Sequence, residues 1–224
     1  MFILIDKPKG VTSHDAVDEI RRVSGERKVG HAGTLDPNAT GLLIIAIGRD
    51  STKRIGDLVK KTKVYEAEIV LGETRDTDDV EGKVLQKHEI TSPPPQEKVQ
   101  EVLKSFLGKT EQIPPFYSAI KVKGKKSYEL ARKGKQVELK ARSVDIFDIE
   151  LLNYDYPTLN IRTKVSSGTY IRSMARDIGE KLDCGGYLRN LRRTKIGKYV
   201  VNDAIGLEGL TSSKLQKHAF DKFE

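Results

Sequence analysis

The stretch GHAGTLDPNATGLLIIAIG, residues 30 to 48, joins a glycine-rich turn to a run of aliphatic residues. No polar residue interrupts Leu42 to Ile47, which predicts a strand buried on both faces. Asp36 and a following proline stand just before that strand, between Gly33 and Gly41. An aspartate before proline commonly shapes a loop through its own hydrogen bonds, and this reading is favoured for Asp36 alone. The two glycines admit a close approach by a backbone or a flat ligand. The second interpretation is therefore that Asp36 is a reactive carboxylate.

Apolar periodicity outside this stretch predicts a mixture of strands and helices. Helical spacing starts at a cap on Thr12 or Ser13 and ends at Gly25. Further helices are predicted over Val99 to Leu107, with Gly108 as the stop signal, and after Gly168. Strands are predicted at 2–5, 65–71, 118–122, 144–152 and 159–165, and the tail after residue 203 is weakly patterned. The irregular order favours a mixed α and β fold without doubly wound alternation.

The composition points to a polyanionic partner and a reducing compartment. The 224 residues carry a net charge of +8, and Lys or Arg near phosphates releases counterions. Cys184 is the single cysteine, so no internal disulfide is possible. The apolar start is too short for a signal peptide, and the longest aliphatic run is too short to span a bilayer. We therefore expect a cytoplasmic protein.

The sequence carries no recognisable cofactor or metal motif. The four histidines are scattered along the chain. The acidic turn from Asp76 to Gly82 fails the calcium-loop pattern, because Lys87 occupies the position that needs a bidentate glutamate, and a solvated turn is the better interpretation. Neither a phosphate-binding glycine loop nor a nucleophile elbow is present. We expect chemistry by side chains, without cofactor or metal.

A strongly basic segment extends from Lys121 to Lys140. One interpretation is an insertion that reaches a phosphate backbone, and the alternative is an exposed, solvated helix, which this feature alone favours. The candidate contacts to an RNA backbone are Lys121, Lys123, Lys125, Lys126 and Arg132.

Several motifs together resemble the TruB family of tRNA pseudouridine synthases, over Phe2 to about Tyr199. The block from Gly30 to Gly41 is very specific, and the order of the others adds weight. These motifs are Asp6-Lys7-Pro8-x-Gly10 with Thr12-Ser13, Gly30-His31-Ala32-Gly33-Thr34-Leu35-Asp36-Pro37-x-Ala39-Thr40-Gly41, Lys63-Val64-Tyr65, Leu71-Gly72 with Thr77-Asp78-Asp79, Gln112-Ile113-Pro114-Pro115-x-Tyr117-Ser118-Ala119-Ile120-Lys121, Ser167-Gly168-Thr169-Tyr170-Ile171-Arg172 and Leu191-Arg192-Arg193-Thr194.

The resemblance implies an α+β fold, with a mixed, mostly antiparallel central sheet flanked by helices. It implies a single catalytic domain over 1–224, with an RNA-gripping basic insertion at about 121–145 and a short tail at 204–224. Many family members carry a C-terminal PUA domain, but the residues after the matching region are too few for one. The implied activity converts uridine 55 of the tRNA T-loop into pseudouridine, without cofactor or metal. The partner would be the T-arm of tRNA, and a monomer is our default.

The resemblance also assigns roles to residues. Asp36 matches the catalytic aspartate, which either attacks C1′ of the ribose or removes a ribose proton, and the sequence leaves both routes open. Arg172 matches the arginine that pairs with it, because an opposite charge keeps an acid ionised in a dry pocket. Tyr65 supports catalysis by stacking on the target base. Tyr170 and Leu191 line the base pocket.

His31 matches a histidine that contacts the RNA near the flipped nucleotides. The alternative function is a noncatalytic tRNA-binding or tRNA-folding protein on the same scaffold, which would tolerate loss of Asp36.

Overall fold

The computed structural model describes residues 1–118, 120–122, 124–127, 130 and 139–221. The chain forms two compact units. Unit 1 comprises Met1–Glu66 and Leu191–Glu224, and unit 2 comprises Ala67–Asn190. Both contain mostly antiparallel strands with helices, which confirms the predicted α+β class. A single catalytic domain over 1–224 stays a prediction.

The elements are numbered in chain order. The strands are β1 (Phe2–Lys7), β2 (Val29–Ala32), β3 (Thr40–Ile47), β4 (Lys63–Leu71), β5 (Glu73–Arg75), β6 (Val84–Lys87), β7 (Gly108–Gln112), β8 (Lys121–Val122), β9 (Lys125–Lys126), β10 (Arg142–Asp155), β11 (Thr158–Val165), β12 (Gly186–Ile196), β13 (Tyr199–Val200) and β14 (Ile205–Gly206). The helices are α1 (Ser13–Ser24), α2 (Arg49–Lys53), α3 (Ile55–Val59), α4 (Gln96–Lys104), α5 (Ile171–Lys181) and α6 (Ser212–His218), with a 3-10 turn at Val201–Asp203.

Strand β3 is the centre of unit 1. It pairs antiparallel with β1 and β2 and parallel with β12, while β1 also pairs parallel with β14. Leu43, Ile45 and Ile47 join the core that includes α1 and α6. Leu42 and Ile44 join a second core that includes α3. Because alternate residues of a strand point to opposite faces, both faces are covered, as the unbroken apolar run predicts.

Helix α1 begins and ends where the sequence predicts. The Thr12 hydroxyl accepts a hydrogen bond from the Asp15 backbone N–H, and the Asp15 carboxylate accepts one from the Thr12 N–H. This reciprocal cap satisfies two backbone donors that a helix start would otherwise leave unpaired. Gly25 ends the helix in the left-handed conformation, at φ 69°.

The segment after residue 203 is more ordered than its weak pattern suggests. Leu210 and Leu215 are buried in the α1 core of unit 1. The Phe220 backbone N–H and C=O pair with those of Phe2, at 2.9 and 2.6 Å. Elements of two to seven residues are too short for hydrophobic periodicity to reveal.

Unit 2 contains the antiparallel strand order β11, β10, β7 and the antiparallel hairpin of β5 with β6. The prediction that α4 reaches Leu107 is wrong, because the helix ends at Lys104 and Leu107 is 48% exposed. Gly108, with φ 90°, opens β7 and does not cap the helix.

No helix within the described ranges is long and apolar enough to cross a membrane.

The predicted basic insertion is described in part. Strands β8 and β9 form a short antiparallel ladder that pairs Lys121 with Lys126. Lys123 and Arg132 lie outside the described residues, so their predicted RNA contacts stay predictions. The insertion is predicted to end at about 145, whereas β10 already pairs with β7 from Arg142 onward.

Candidate active site

Asp36 stands in a tight turn between β2 and β3. The Ala39 N–H donates to the Asp36 carbonyl at 3.0 Å and closes the turn. The Ser13 hydroxyl accepts from the Leu35 N–H at 2.8 Å and donates to the Leu35 carbonyl at 3.0 Å. Ser13 is therefore not the helix cap that one reading of the sequence allowed. It holds the residue before Asp36 against the start of α1.

Lys7 holds the other side of the turn. Its ammonium group is fully buried and donates to the carbonyls of Pro8, Val11 and Pro37, at 2.9, 2.6 and 3.3 Å. Burial lowers the pKa of Lys7, and the Asp36 carboxylate acts in the opposite direction. The ammonium is fully used in hydrogen bonds to the loops on either side of it, so we assign Lys7 to supporting the turn.

Arg193 on β12 joins the residues before and after the Asp36 turn, Gly33 and Leu42. Its side chain is 1% exposed, and it donates to the carbonyls of Leu42 at 2.8 Å and Gly33 at 2.9 Å. Gly41 pairs with Arg193 in the parallel ladder and has φ 101°. A Cβ atom at Gly41 would lie 2.3 Å from the Arg193 carbonyl oxygen. The close approach predicted for Gly41 is therefore made by a strand backbone.

We expect Gly41→Ala to lower the free energy of unfolding by about 3 kcal/mol or more, because left-handed strain adds to the backbone clash. Gly25→Ala is the matched control, since Gly25 also has a positive φ but no atom within 4 Å of the added Cβ. It should cost about 1–2 kcal/mol. Urea unfolding of both variants measures the difference, and equal losses would contradict the clash.

Unit 1 also contains Leu191 and Tyr65, two more of the predicted site residues. The Thr40 hydroxyl donates to the Leu191 carbonyl at 3.4 Å, which places the Leu191 backbone beside the Asp36 turn. Tyr65 is buried on β4, next to the Val64 carbonyl that accepts from the Thr194 hydroxyl. Their predicted roles in stacking on the base and lining its pocket stay predictions.

His31 lies on β2, directly before the turn. Burial is the main cause that lowers the pKa of His31, and the positive charge of Arg193 adds to it. The imidazole is therefore mostly neutral at pH 7, so its predicted RNA contact would be made by an uncharged ring.

Lys63 is a buried cation that the sequence reasoning left without a role. Its ammonium donates to the carbonyls of Val59 and Lys61, at 2.5 and 2.8 Å. Burial, with a smaller effect of Arg193, lowers the pKa of Lys63 to about 8. The sequence signal that could have indicated a role for Lys63 was its place in the Lys63-Val64-Tyr65 motif. Arg193 lies close enough to Lys7 and to Lys63 to lower the pKa of each, so the three residues form a cluster of positive charge.

Arg172 belongs to unit 2, where its guanidinium is held from three directions. It donates to the Asp79 carboxylate at 3.3 Å, the Thr77 carbonyl at 3.3 Å and the Tyr117 carbonyl at 3.0 Å. Both members of the Arg172–Asp79 pair are buried, at 7% and 9% exposure. Arg172 is therefore a buried residue of α5, while its pairing with Asp36 stays a prediction.

The acidic turn around Asp79 is not the solvated turn that the sequence suggested. The other carboxylate oxygen of Asp79 accepts from the Thr77 hydroxyl at 2.6 Å and the Glu81 N–H at 3.0 Å. The carboxylate is thereby fixed in position to receive Arg172. Within the described ranges, no group of three or more His, Cys, Asp or Glu side chains could hold a metal ion.

Tyr170 precedes α5 and is fixed by Gln112. The Gln112 side-chain oxygen accepts from the Tyr170 N–H at 2.8 Å, and its amide donates to the Tyr170 carbonyl at 3.0 Å. Gln112 is buried at the end of β7. This reciprocal pair fixes the backbone of a predicted base-pocket residue, whose contact with the base stays a prediction.

Asp78 provides a test of electrostatics in unit 2. It pairs with Arg176 at 2.9 Å, yet burial raises the pKa of Asp78 to about 6 against the opposing effect of Arg176. Between about pH 4 and 6 the folded state then holds a proton that the unfolded state has released. The contribution of Asp78 to the unfolding free energy therefore falls as the pH rises through this window.

We expect Asp78→Asn to remove this pH dependence. Urea unfolding at pH 4.5 and 6.5 should show that the wild type loses more stability between these values than the variant does. Asp155→Asn, which changes an exposed carboxylate of the same unit, serves as control. Identical pH dependence in wild type and Asp78→Asn would contradict the raised pKa.

Two protein families match the sequence of this chain. A family described as "TruB family pseudouridylate synthase (N terminal domain)" matches residues 21–171, and "tRNA pseudouridylate synthase B C-terminal domain" matches residues 172–222. The fold thus belongs to the pseudouridylate synthases, which are isomerases. The chain belongs to the TruB family, which confirms the resemblance seen in the sequence.

Individual relatives agree with the family match. The tRNA pseudouridine synthase B of Caldanaerobacter subterraneus is 45% identical over 221 residues, which cover 97% of this chain and 76% of that protein. The protein of the same name from Protochlamydia amoebophila is 45% identical over 218 residues, covering 97% and 82%.

Solved structures also match. A chain in the crystal structure of a Cbf5-Nop10-Gar1 complex is 30% identical with a TM-score of 0.72, and a chain of the archaeal box H/ACA sRNP Nop10-Cbf5 complex is 27% identical with a TM-score of 0.70. The matches cover 92% and 96% of this chain, which spans about half the length of those chains, 52% and 53%.

Proposed function

We propose that this protein isomerises uridine 55 in the T-loop of tRNA to pseudouridine, with Asp36 as the catalytic residue. The observation that carries the proposal is the Asp36 turn, in a chain that belongs to the TruB family. Ser13, Lys7 and Arg193 hold this turn in place through buried hydrogen bonds. Relatives named tRNA pseudouridine synthase B favour tRNA as the substrate over an RNA selected by a guide RNA.

The reaction breaks the N1–C1′ bond, turns the uracil within the site and forms a C5–C1′ bond. C5 then loses its proton to solvent and N1 takes one up, so the product is an isomer of the substrate. Asp36 either adds to C1′ or removes a ribose proton to give a glycal, and both routes need an ionised, correctly placed carboxylate. Arg172 supplies the opposing positive charge that keeps this carboxylate ionised. Tyr65 stacks on the target base.

Base flipping presents the uridine to the site. Extruding the base costs a few kcal/mol, which stacking and backbone contacts offset. Tyr170 and Leu191 line the base pocket, and His31 contacts the RNA beside it. The basic insertion, with Lys121, Lys125 and Lys126, grips the T-arm through phosphates, so affinity falls with added salt. Cytoplasmic location and a monomeric state stay predictions.

Tritium release tests the proposal. Transcripts of tRNA and of an isolated T-arm hairpin carry tritium at uridine C5, and the matched control RNAs have cytidine in place of the target uridine. Purified protein in EDTA, without any guide RNA, should release one tritium per target uridine and none from the control position. Release from tRNA but not from the hairpin would place essential contacts beyond the T-arm. Binding of both RNAs without release would contradict the proposal and support the noncatalytic alternative.

A further inference from the structure

A second candidate RNA contact lies within unit 1, apart from the Asp36 turn. It is a cavity of about 330 Å³, which is at the lower end of the volumes that bind small ligands. The residues that line this cavity are Arg54, Asp57, Leu58, Lys61, Gly197, Lys198 and Tyr199. Gly197 follows Arg193 by four positions along β12 and beyond its end, which places it roughly 13 Å from the Gly41 pairing.

The cavity gathers positive charge from two distant parts of the sequence. Arg54 and Lys61 flank α3, whereas Lys198 follows β12. The Gly197 N–H donates to the Thr62 carbonyl at 2.8 Å and so joins the two segments. The lining therefore contains three cations and one carboxylate, Asp57. This arrangement favours an anionic ligand.

An aromatic ring lies beside these cations. Tyr199 stacks on Phe220 with ring centroids 5.5 Å apart and planes at 23°, which holds the ring in place. The Lys198 ammonium lies 5.7 Å from the Tyr199 ring centroid. A fixed ring with adjacent cations is the arrangement that single-stranded RNA sites use, because the ring contacts a base while the cations contact its phosphate.

We propose that this cavity binds one nucleotide of the RNA substrate, with its phosphate near Arg54, Lys61 and Lys198 and its base against Tyr199. The inference rests on the proposed function, because it takes the anion to be part of the tRNA. The cavity volume is of the order that a single nucleotide needs. The ligand chemistry, a phosphate joined to a flat base, is shared with free mononucleotides.

Charge reversal of Lys198 tests the site. Lys198→Glu should weaken tRNA binding severalfold and reduce the slope of log affinity against log salt by about 1 or more, while the single-turnover rate at saturating tRNA stays unchanged. Lys61→Glu should give the same result. Lys28→Glu is the matched control, because Lys28 is an exposed lysine of unit 1 that does not line the cavity.

Calorimetric titration with uridine 5′-monophosphate distinguishes the two sources of the ligand. Weaker tRNA binding in both variants, without mononucleotide binding by the wild type, supports RNA as the source. Mononucleotide binding that Lys198→Glu abolishes, with tRNA affinity equal to that of the control, supports a free nucleotide. Unchanged binding of both ligands would overturn the proposal. If the wild type shows the charge-dependent tRNA binding but never releases tritium, the proposed function fails and the cavity site stands.

Discussion

Asp36→Asn is expected to reduce tritium release from uridine C5 by at least about 10³-fold, while the dissociation constant for tRNA changes little. The amide neither adds to C1′ nor accepts a ribose proton, and a positioned base alone contributes about 10²–10⁴-fold to a rate. Asparagine has nearly the size of aspartate, so the turn that Ser13 and Lys7 hold should persist. Single-turnover assays and filter binding measure the two quantities.

Asp18→Asn provides the control for Asp36→Asn. Asp18 lies on the exposed side of α1 and pairs with Arg21 there, so its loss should leave the rate unchanged. A normal rate in Asp36→Asn would remove the carboxylate from the mechanism. A loss of tRNA binding that matched the loss of rate would instead make Asp36 a binding residue.

Asp79→Asn should lower kcat by roughly 10²-fold with little change in KM, because it removes the carboxylate that holds the Arg172 guanidinium in position. Breaking one partner from a buried ion pair also costs about 3–5 kcal/mol of stability, since the other charge remains buried. Activity is therefore measured well below the melting temperature, which thermal unfolding supplies. We therefore expect Asp79 to act through Arg172, as a positioning residue.

Glu68→Gln is the matched control for Asp79→Asn. Glu68 pairs with Arg189 at 2.8 Å in the same unit, but the Arg189 side chain is 40% exposed. Losing such an exposed pair costs about 1 kcal/mol or less and should leave kcat unchanged. A rise in KM alone in Asp79→Asn would contradict the positioning role.

Local sequence signals were sufficient for the centre of unit 1. Strand β3 is apolar at every position from Leu42 to Ile47, and α1 carries both its cap and its stop. Each signal lies within a few residues of the structure it specifies, so propensity and periodicity reveal it. The Asp36 turn was identifiable for the same reason.

Contacts between distant residues were beyond such reasoning. Arg193 reads as a surface residue in the polar strand β12, yet it is buried because Gly33 and Leu42, about 150 positions away, offer carbonyl acceptors. Asp79 and Arg172 are 93 positions apart. Neither helical nor strand periodicity carries information at that separation. Asp79 could therefore be identified as the partner of Arg172 only from the structure.

The division of unit 1 between the two ends of the sequence has a consequence for synthesis. On the ribosome, Ala67–Asn190 emerges as one continuous stretch and contains every residue of unit 2. The first 66 residues instead lack some of their partners until after unit 2 has been made. These partners are β12, α6 and Phe220, whose backbone pairs with Phe2. Because closing such long loops is slow, we expect unit 2 to fold first during translation and β1 to be the last central strand to gain all its neighbours.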